Sequence, residues 1–195
     1  MIELYIKNVD DIWFGVALMN NKIIATTFSN KQETSLSNLL KVLPFDVDFQ
    51  VISVESALAK EAIMCMKDAY DGREIKQEVP LAIDCLPDYS RKVLKMVFQI
   101  PPGYVSSYGD VARAVGGGAR AVGNVMASNP FAPIIPCHRV VGSNSRLGGY
   151  SGGAEIKNKL LKKECKGYTE PKIISFERQK LQVYPAESVF SEQKN

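Results

Sequence analysis

A chain of 195 residues, 46% of them apolar, holds enough material to bury a core in one large domain or two small ones. No run of about 18 apolar residues is present, so no membrane-spanning helix is expected, and Met1 to Val9, with Glu3, Lys7 and Asn8, lacks the apolar core of a secretory leader. Net charge is only +3, yet residues 1–87 hold eight Lys and Arg against thirteen Asp and Glu, residues 88–170 hold twelve against five, and the remainder adds +1. An acidic half joined to a basic half is the pattern expected when one half meets a polyanion, and a phosphate backbone is the commonest such partner.

The first 87 residues read as an α/β domain. Ile2–Val9 and Ile12–Leu18 alternate apolar and polar residues, and Asn20-Asn21 is a tight-turn signal before a third strand over Lys22–Phe28. Leu36, Leu39, Leu40 and Leu43 recur at helical spacing, with a stop at Pro44. Val51–Val54 reads as another strand. Ser56 is placed to cap a helix running through Met66 and Tyr70 and ending at Asp71-Gly72, and Val79–Ile83 reads as a short closing strand. No catalytic cluster is evident in this half.

Residues 88–170 read as a second, mostly helical domain. Asp88 opens a helix with Val93, Leu94, Val97 and Phe98 on one face, ending before Pro101-Pro102-Gly103. Ser107 to Asp110 has the form of a capping box and starts a short helix with Val111, Ala112 and Val115 inward. Gly116-Gly117-Gly118 makes a turn, and a third helix follows from about Ala119 to Ser128. Helix, glycine turn, helix at this spacing is a helix-turn-helix pattern. The third helix is nearly bare: Ala119, Ala121, Gly123 and Ala127 are small, and Arg120 is its single charge. Such a face either packs closely against another helix or lets a backbone approach a narrow DNA groove with one long cation.

Ile135-Pro136-Cys137-His138-Arg139-Val140-Val141 places a cysteine directly before the only histidine in the chain. Pro130, Pro133 and Pro136 on one side and Gly142 on the other mark the apolar stretch as a buried strand or turn. A reactive thiol needs a base or a positive field to ionise, and imidazole is the usual supplier. A buried packing cysteine is the ordinary alternative. On extended backbone the two side chains point to opposite faces, so proton transfer between them passes through a water or requires a turned backbone. Cys65, Cys85, Cys137 and Cys165 lie far apart without metal-ligand spacing, so no metal is expected and a reduced, intracellular protein is the simplest account.

The helix-turn-helix with Arg120, then Asn129-Pro130, then Pro136-Cys137-His138-Arg139-Val140, then Gly149-Tyr150-Ser151-Gly152-Gly153, resembles the O6-alkylguanine-DNA alkyltransferases, the methylated-DNA–protein-cysteine methyltransferases. The likeness is dense from about Pro87 to Gly167. It implies an RNase H-like α/β N-terminal domain over 1–87, a winged-helix-like DNA-binding and alkyl-acceptor domain over 88–170, and a tail over 171–195 of unassigned role. It also implies a suicide reaction without metal or organic cofactor, in which an O6-alkylated guanine in double-stranded DNA is flipped out of the duplex and a cysteine takes the alkyl group. A monomer in the cytoplasm, or in the nucleus of a eukaryote, follows from the same resemblance.

Residue by residue, the resemblance makes Cys137 the acceptor, His138 its base through a bridging water, and Glu164 the carboxylate that orients the imidazole. Glu164 lies near the end of an amphipathic helix, Glu155–Cys165, four residues after Leu160 and so on the inward side with Ile156 and Leu161. Tyr108 is matched to a role at the ring nitrogen of the base, the Ser151 N–H to the oxygen, and the Cys137 and Val140 carbonyls to the exocyclic amine. Met126 and Tyr150 are matched to the alkyl pocket. Arg120 is the finger that fills the vacated stack, with Ala119, Ala121, Gly123, Asn129 and Arg139 on the DNA-binding surface, and Asn129 is also the hinge before the active-site segment. A thiol near pKa 8.5 needs a fall of ~2 units to be mostly ionised at neutral pH, so a depressed Cys137 is expected. Gly142 to Leu147 belongs to a variable segment, Gly149 leaves it mobile, and Ile173–Phe176 and Leu181–Tyr184 read as strands or loose chain. Two rivals stand beside this reading. One is a lesion sensor of the alkyltransferase-like type, which replaces the cysteine; the other is a cysteine hydrolase, whose signatures are missing here.

Overall fold

The computed structural model describes residues 1–43, 47–143 and 146–191, which fall into two compact units. The first comprises Met1–Tyr70, Ile75–Leu86 and Pro130–Ile134; the second comprises Asp71–Glu74, Pro87–Asn129 and the chain from Ile135 onward. Among the described residues no helix is long and apolar enough to cross a membrane.

In the first unit β1 (Ile2–Val9), β2 (Ile12–Met19) and β3 (Lys22–Ser29) form an antiparallel meander, and β4 (Phe49–Val51) adds parallel to β1, giving the order β3-β2-β1-β4. The turns at Asp10-Asp11 and Asn20-Asn21 put both residues of each pair at positive φ, the conformation that Asn and Asp tolerate and that matches the twist of paired strands. Helix α1 (Gln32–Val42) lays Leu39 on the sheet beside Ile2, Leu4, Ala17 and Ala25. Gly15 permits that approach, because a Cβ there would lie 2.9 Å from both Leu39 Cδ1 and Ser35 Oγ. The predicted stop at Pro44 lies outside the described residues. Ser56 Oγ accepts from Ala59 N–H at 3.2 Å and starts α2 (Ala57–Tyr70), with Gly72 at φ +72° just beyond its end.

Two expected strands come out differently. Val51–Val54 shifts to Phe49–Val51, and the chain bends from Ser53. Val79–Ile83 reduces to a single bridge from Leu81 to Ile23 followed by a 3-10 turn over Ile83–Cys85. Pro80 has no N–H to continue a ladder; its carbonyl and the Ala82 N–H bracket Ile23, and pairing stops there.

In the second unit α3 (Asp88–Phe98) buries Val93, Leu94, Met96 and Val97, whereas Phe98, expected inward, is 40% exposed. Strand β5 (Tyr104–Ser107), which the sequence reading did not find, leads directly into α4 (Tyr108–Val115) and then α5 (Ala119–Ala127). After the Pro130–Ile134 excursion the chain returns through a 3-10 turn at Cys137–Arg139 into β6 (Val140–Val141) and α6 (Ala154–Glu164). Of the residues beyond 170, β7 (Lys172–Phe176) and β8 (Gln179–Pro185) form a hairpin and α7 (Ser188–Ser191) follows. Strand β6 is parallel to β5, β8 is antiparallel to it, and the sheet order is β6-β5-β8-β7. Ala186 and Val189 close the core with Val105, Val141 and Leu161, so the last segment joins the elements that carry the site.

Candidate active site

The helix-turn-helix is built locally. Ser107 Oγ accepts from the Asp110 N–H at 2.9 Å, capping α4, and Asp110 is paired with Arg113. Gly116 and Gly117 turn the chain at φ +86° and +95°; a Cβ on Gly117 would sit 2.6 Å from the Tyr89 hydroxyl. Helix α5 buries Val122, Val125 and Met126 and leaves Ala119 and Arg120 exposed, with Ala121 and Gly123 half-buried.

Cys137 lines a cavity of about 460 Å³ together with Tyr108, Gly123, Met126, Gly149, Tyr150 and Ser151. Six of the sequence-predicted residues, Cys137, Tyr108, Gly123, Met126, Tyr150 and Ser151, therefore meet around one space. The Tyr108 hydroxyl donates to Gly149 O at 3.3 Å. Burial, with the charge of Cys137, raises its pKa, so Tyr108 carries its proton at neutral pH. Tyr150, raised further by burial, is hydrogen-bonded to the Cys137 sulfur.

Behind the cysteine lies a fully buried ion network. His138 Nε2 is 2.8 Å from Glu164 Oε1, and both side chains have no exposed area. His138 Nδ1 is buried without a hydrogen-bond partner among the described residues, so it is the ring nitrogen free to receive a proton. Burial lowers the pKa of His138 and outweighs the opposing pull of Glu164, keeping the imidazole neutral. Burial pushes Glu164 up, but the charge that His138 carries once protonated, the Arg139 guanidinium and the hydrogen bonds from both bring it down to about 2, so it is ionised.

One expectation on the DNA-binding surface is corrected here. Arg139 is only 6% exposed: Nε and Nη2 donate to Glu164 at 2.9–3.0 Å and Nη1 donates to Ile100 O. A guanidinium committed to an internal carboxylate and carbonyl is a structural countercharge and does not reach phosphate. Asn129 Nδ2 donates to Ile135 O at 2.9 Å and its side chain also bonds the Cys137 thiol, the contacts expected of a hinge that fixes the active-site segment.

Cys137 also departs from expectation. It is 2% exposed, and burial raises its pKa; the hydrogen bond from Asn129, the charge of Lys157 and the bond from Tyr150 act downward without overcoming burial. The resting group is thus a thiol, with devices in place to stabilise its anion.

Lys157 was missed by sequence reasoning. It is fully buried on α6, donates to Val140 O at 2.7 Å and Gly149 O at 3.2 Å, and burial lowers its pKa to about 8. One lone pair of Val140 O is therefore taken. A signal existed, because Lys157, Leu161 and Glu164 are spaced i, i+4, i+7 on the buried stripe. Together these groups make a thiol with a proton acceptor nearby, a cation to steady its anion, and phenol donors across a cavity.

Residues 88–166 match the family described as 6-O-methylguanine DNA methyltransferase, DNA binding domain. A methylated-DNA–protein-cysteine methyltransferase of Methanocaldococcus jannaschii is 31% identical over 163 residues, 82% of this chain and 92% of that protein. One from Methanothermobacter thermautotrophicus is 43% identical over 77 residues, which are 40% of this chain and 44% of the relative's length. The crystal structure of an O6-methylguanine-DNA methyltransferase from Pyrococcus kodakaraensis is similar with a TM-score of 0.65 and 25% identity, over 84% of this chain and 99% of that one.

Proposed function

Because the chain belongs to the methylated-DNA–protein-cysteine methyltransferase family, we propose that it repairs DNA directly, moving an alkyl group from the O6 position of guanine onto Cys137 in one irreversible transfer. The observation that carries this reading is the position of Cys137 on the cavity wall, beside a neutral His138 that is held by an ionised Glu164.

The chemistry balances on these groups. The Cys137 thiol gives its proton through one water to His138 Nδ1, and the new imidazolium is stabilised by Glu164. Sulfur attacks the alkyl carbon, an S–C bond forms, and the C–O bond to guanine breaks. Tyr108 passes its phenol proton to the ring nitrogen as the C–O bond breaks, and the proton held on His138 returns through water to the phenolate, so the proton lost by sulfur is matched by the one on the departing guanine. Lys157 and Asn129 favour the anion as it forms. Arg120, exposed on a small-residue helix, fills the stack from which the base is turned out, offsetting part of a cost of a few kcal/mol.

We assign the second unit a winged-helix arrangement: α3, β5, α4 and α5 in order, with the β7–β8 hairpin returning to pair with β5. The β3-β2-β1-β4 order of the first unit, three antiparallel strands and a parallel fourth, supports an RNase H-like arrangement. DNA carrying O6-alkylguanine is the substrate and the protein acts as a monomer.

Incubation with duplex DNA containing O6-methylguanine should add one methyl group to the peptide that contains Cys137. Lesion binding without that gain would move the reading to a sensor, and neither binding nor gain would remove it.

A further inference from the structure

We infer that the tip of the β7–β8 hairpin, through Arg178 and Lys180, is a second DNA-phosphate contact on the acceptor unit. The inference rests on the DNA-repair reading and extends it to residues beyond the family match, which ends at residue 166.

The sheet register fixes where the tip points. Tyr104 pairs with Pro185 and Val105 with Tyr184, and Ser106 Oγ donates to Gln182 O at 2.7 Å, so following β8 back toward the turn runs along the direction of β5. Strand β5 ends at Ser107, level with Gln182. Arg178 is four residues further, roughly 13 Å beyond that level at about 3.3 Å per residue. The same end of the sheet carries Tyr108, the first residue of α4. It also carries Val141, paired with Ser107, from which the chain leaves toward Tyr150 and Ser151. The hairpin tip and the cavity wall thus rise from one end of one sheet, and β8 is the immediate neighbour of β5, about 5 Å away.

The side chains there suit a polyanion. Arg178 and Lys180 are exposed, and neither is held in an ion pair among the described residues, whereas Lys172 at the other end of β7 lies 4.0 Å from the Tyr104 ring. Glu177, at φ +53° in the turn, offsets one of the two charges in sum, and the tip keeps a net positive charge. The base of the hairpin, at the opposite end of β8 from the tip, is also anchored. Ala186 N–H donates to Gly103 O at 2.8 Å, Glu187 Oε1 accepts from the Lys166 and Gly167 N–H groups, and Val183 and Val189 are buried. A cation on a braced hairpin loses little freedom when it meets phosphate, which a loose tail does not offer.

The test is binding to an unmodified 20-base-pair duplex across a salt series, using wild type, Arg178→Ala/Lys180→Ala, and Lys31→Ala/Lys60→Ala as a control with the same charge change on the first unit. Two phosphate contacts predict a slope of log K against log salt lower by about 1.8 and affinity lower by roughly tenfold for the hairpin variant, against less than twofold for the control. Arg178→Gln, in the turn and outside the ladder, should show about half the slope change and guards against loss of the hairpin. Unchanged slopes in both hairpin variants, with a steep wild-type slope, overturn the inference alone. A wild type that fails to bind duplex DNA at any salt overturns the repair reading with it.

Discussion

The two units each hold a cysteine that is almost closed to solvent and surround it with opposite charge. Cys65 on α2 is 3% exposed; burial raises its pKa and the charges of Asp68 and Glu61 raise it further, while its Sγ donates to Gln77 O. Cys137 is 2% exposed and burial raises it too, yet Asn129, Lys157 and Tyr150 all pull the other way, and His138 with Glu164 stands next in sequence and space. Solvent exposure alone therefore does not separate a packing thiol from a reactive one. The sign of the surrounding charge does, together with a proton acceptor whose own partner is fixed.

The sharpest break of that comparison is substitution of the sulfur. Cys137→Ser should abolish methyl uptake, and Cys65→Ser should keep the transfer rate within about twofold, because serine fills the site without changing the acceptor unit. Uptake that survives the first change and disappears with the second would assign the reactive thiol to the wrong unit.

Glu164→Gln comes next. It should slow transfer by about 10²–10⁴-fold, as expected for loss of a fixed acid–base relay, and cost about 3–5 kcal/mol by leaving Arg139 buried without its countercharge. The pH dependence has a definite sign. The pKa of Glu164 falls from 4.5 to about 2 on folding, so the unfolded chain takes up the proton first. The associated stability is present above about pH 4.5 and is lost as pH falls toward 2, amounting to roughly 3 kcal/mol. Urea unfolding of wild type and variant between pH 6 and 2.5 checks this: the variant curve should be flatter, and parallel curves would contradict the assignment.

Arg120→Ala should reduce repair of a paired lesion by about 10²-fold, the scale of an unstacking cost of a few kcal/mol, while reaction with a free alkylguanine base changes little. Equal losses on both substrates would remove the extrusion role. The smallest effect is expected from Lys157→Met, which keeps the buried stem but removes the cation and its bonds to Val140 and Gly149. Iodoacetamide labelling of the Cys137 peptide should slow by about tenfold at neutral pH, the scale of one lost charged hydrogen bond, with its pH midpoint moved upward. A midpoint that stays in place would leave Lys157 as a brace for the cavity loop only.

The parts legible in the sequence are those written in a few neighbouring residues. Asn20-Asn21 marks a turn, Ser56 and Ser107 mark helix starts, and the Cys137-His138 step marks a candidate site, whereas the part of Glu164 in the relay comes only from the family resemblance. Strand β5 escaped because four residues after Pro101-Pro102-Gly103 become a strand only by pairing with residues 140–141 and 184–185, far along the chain. Arg139 misled because an arginine in a basic segment is usually exposed, and its burial depends on Glu164 and Ile100 arriving from two other elements. Lys157 hid among Lys159, Lys162 and Lys163, and only its phase on the helix set it apart. The depressed thiol expected from the reaction chemistry met a desolvation cost that sequence does not display.

The most direct measurement is the stoichiometry of transfer. With O6-methylguanine duplex in large excess, repaired guanine should rise to one equivalent per protein chain and stop, with methyl recovered only on Cys137. Continued release beyond one equivalent, or a plateau with the methyl group on another residue, would contradict the account.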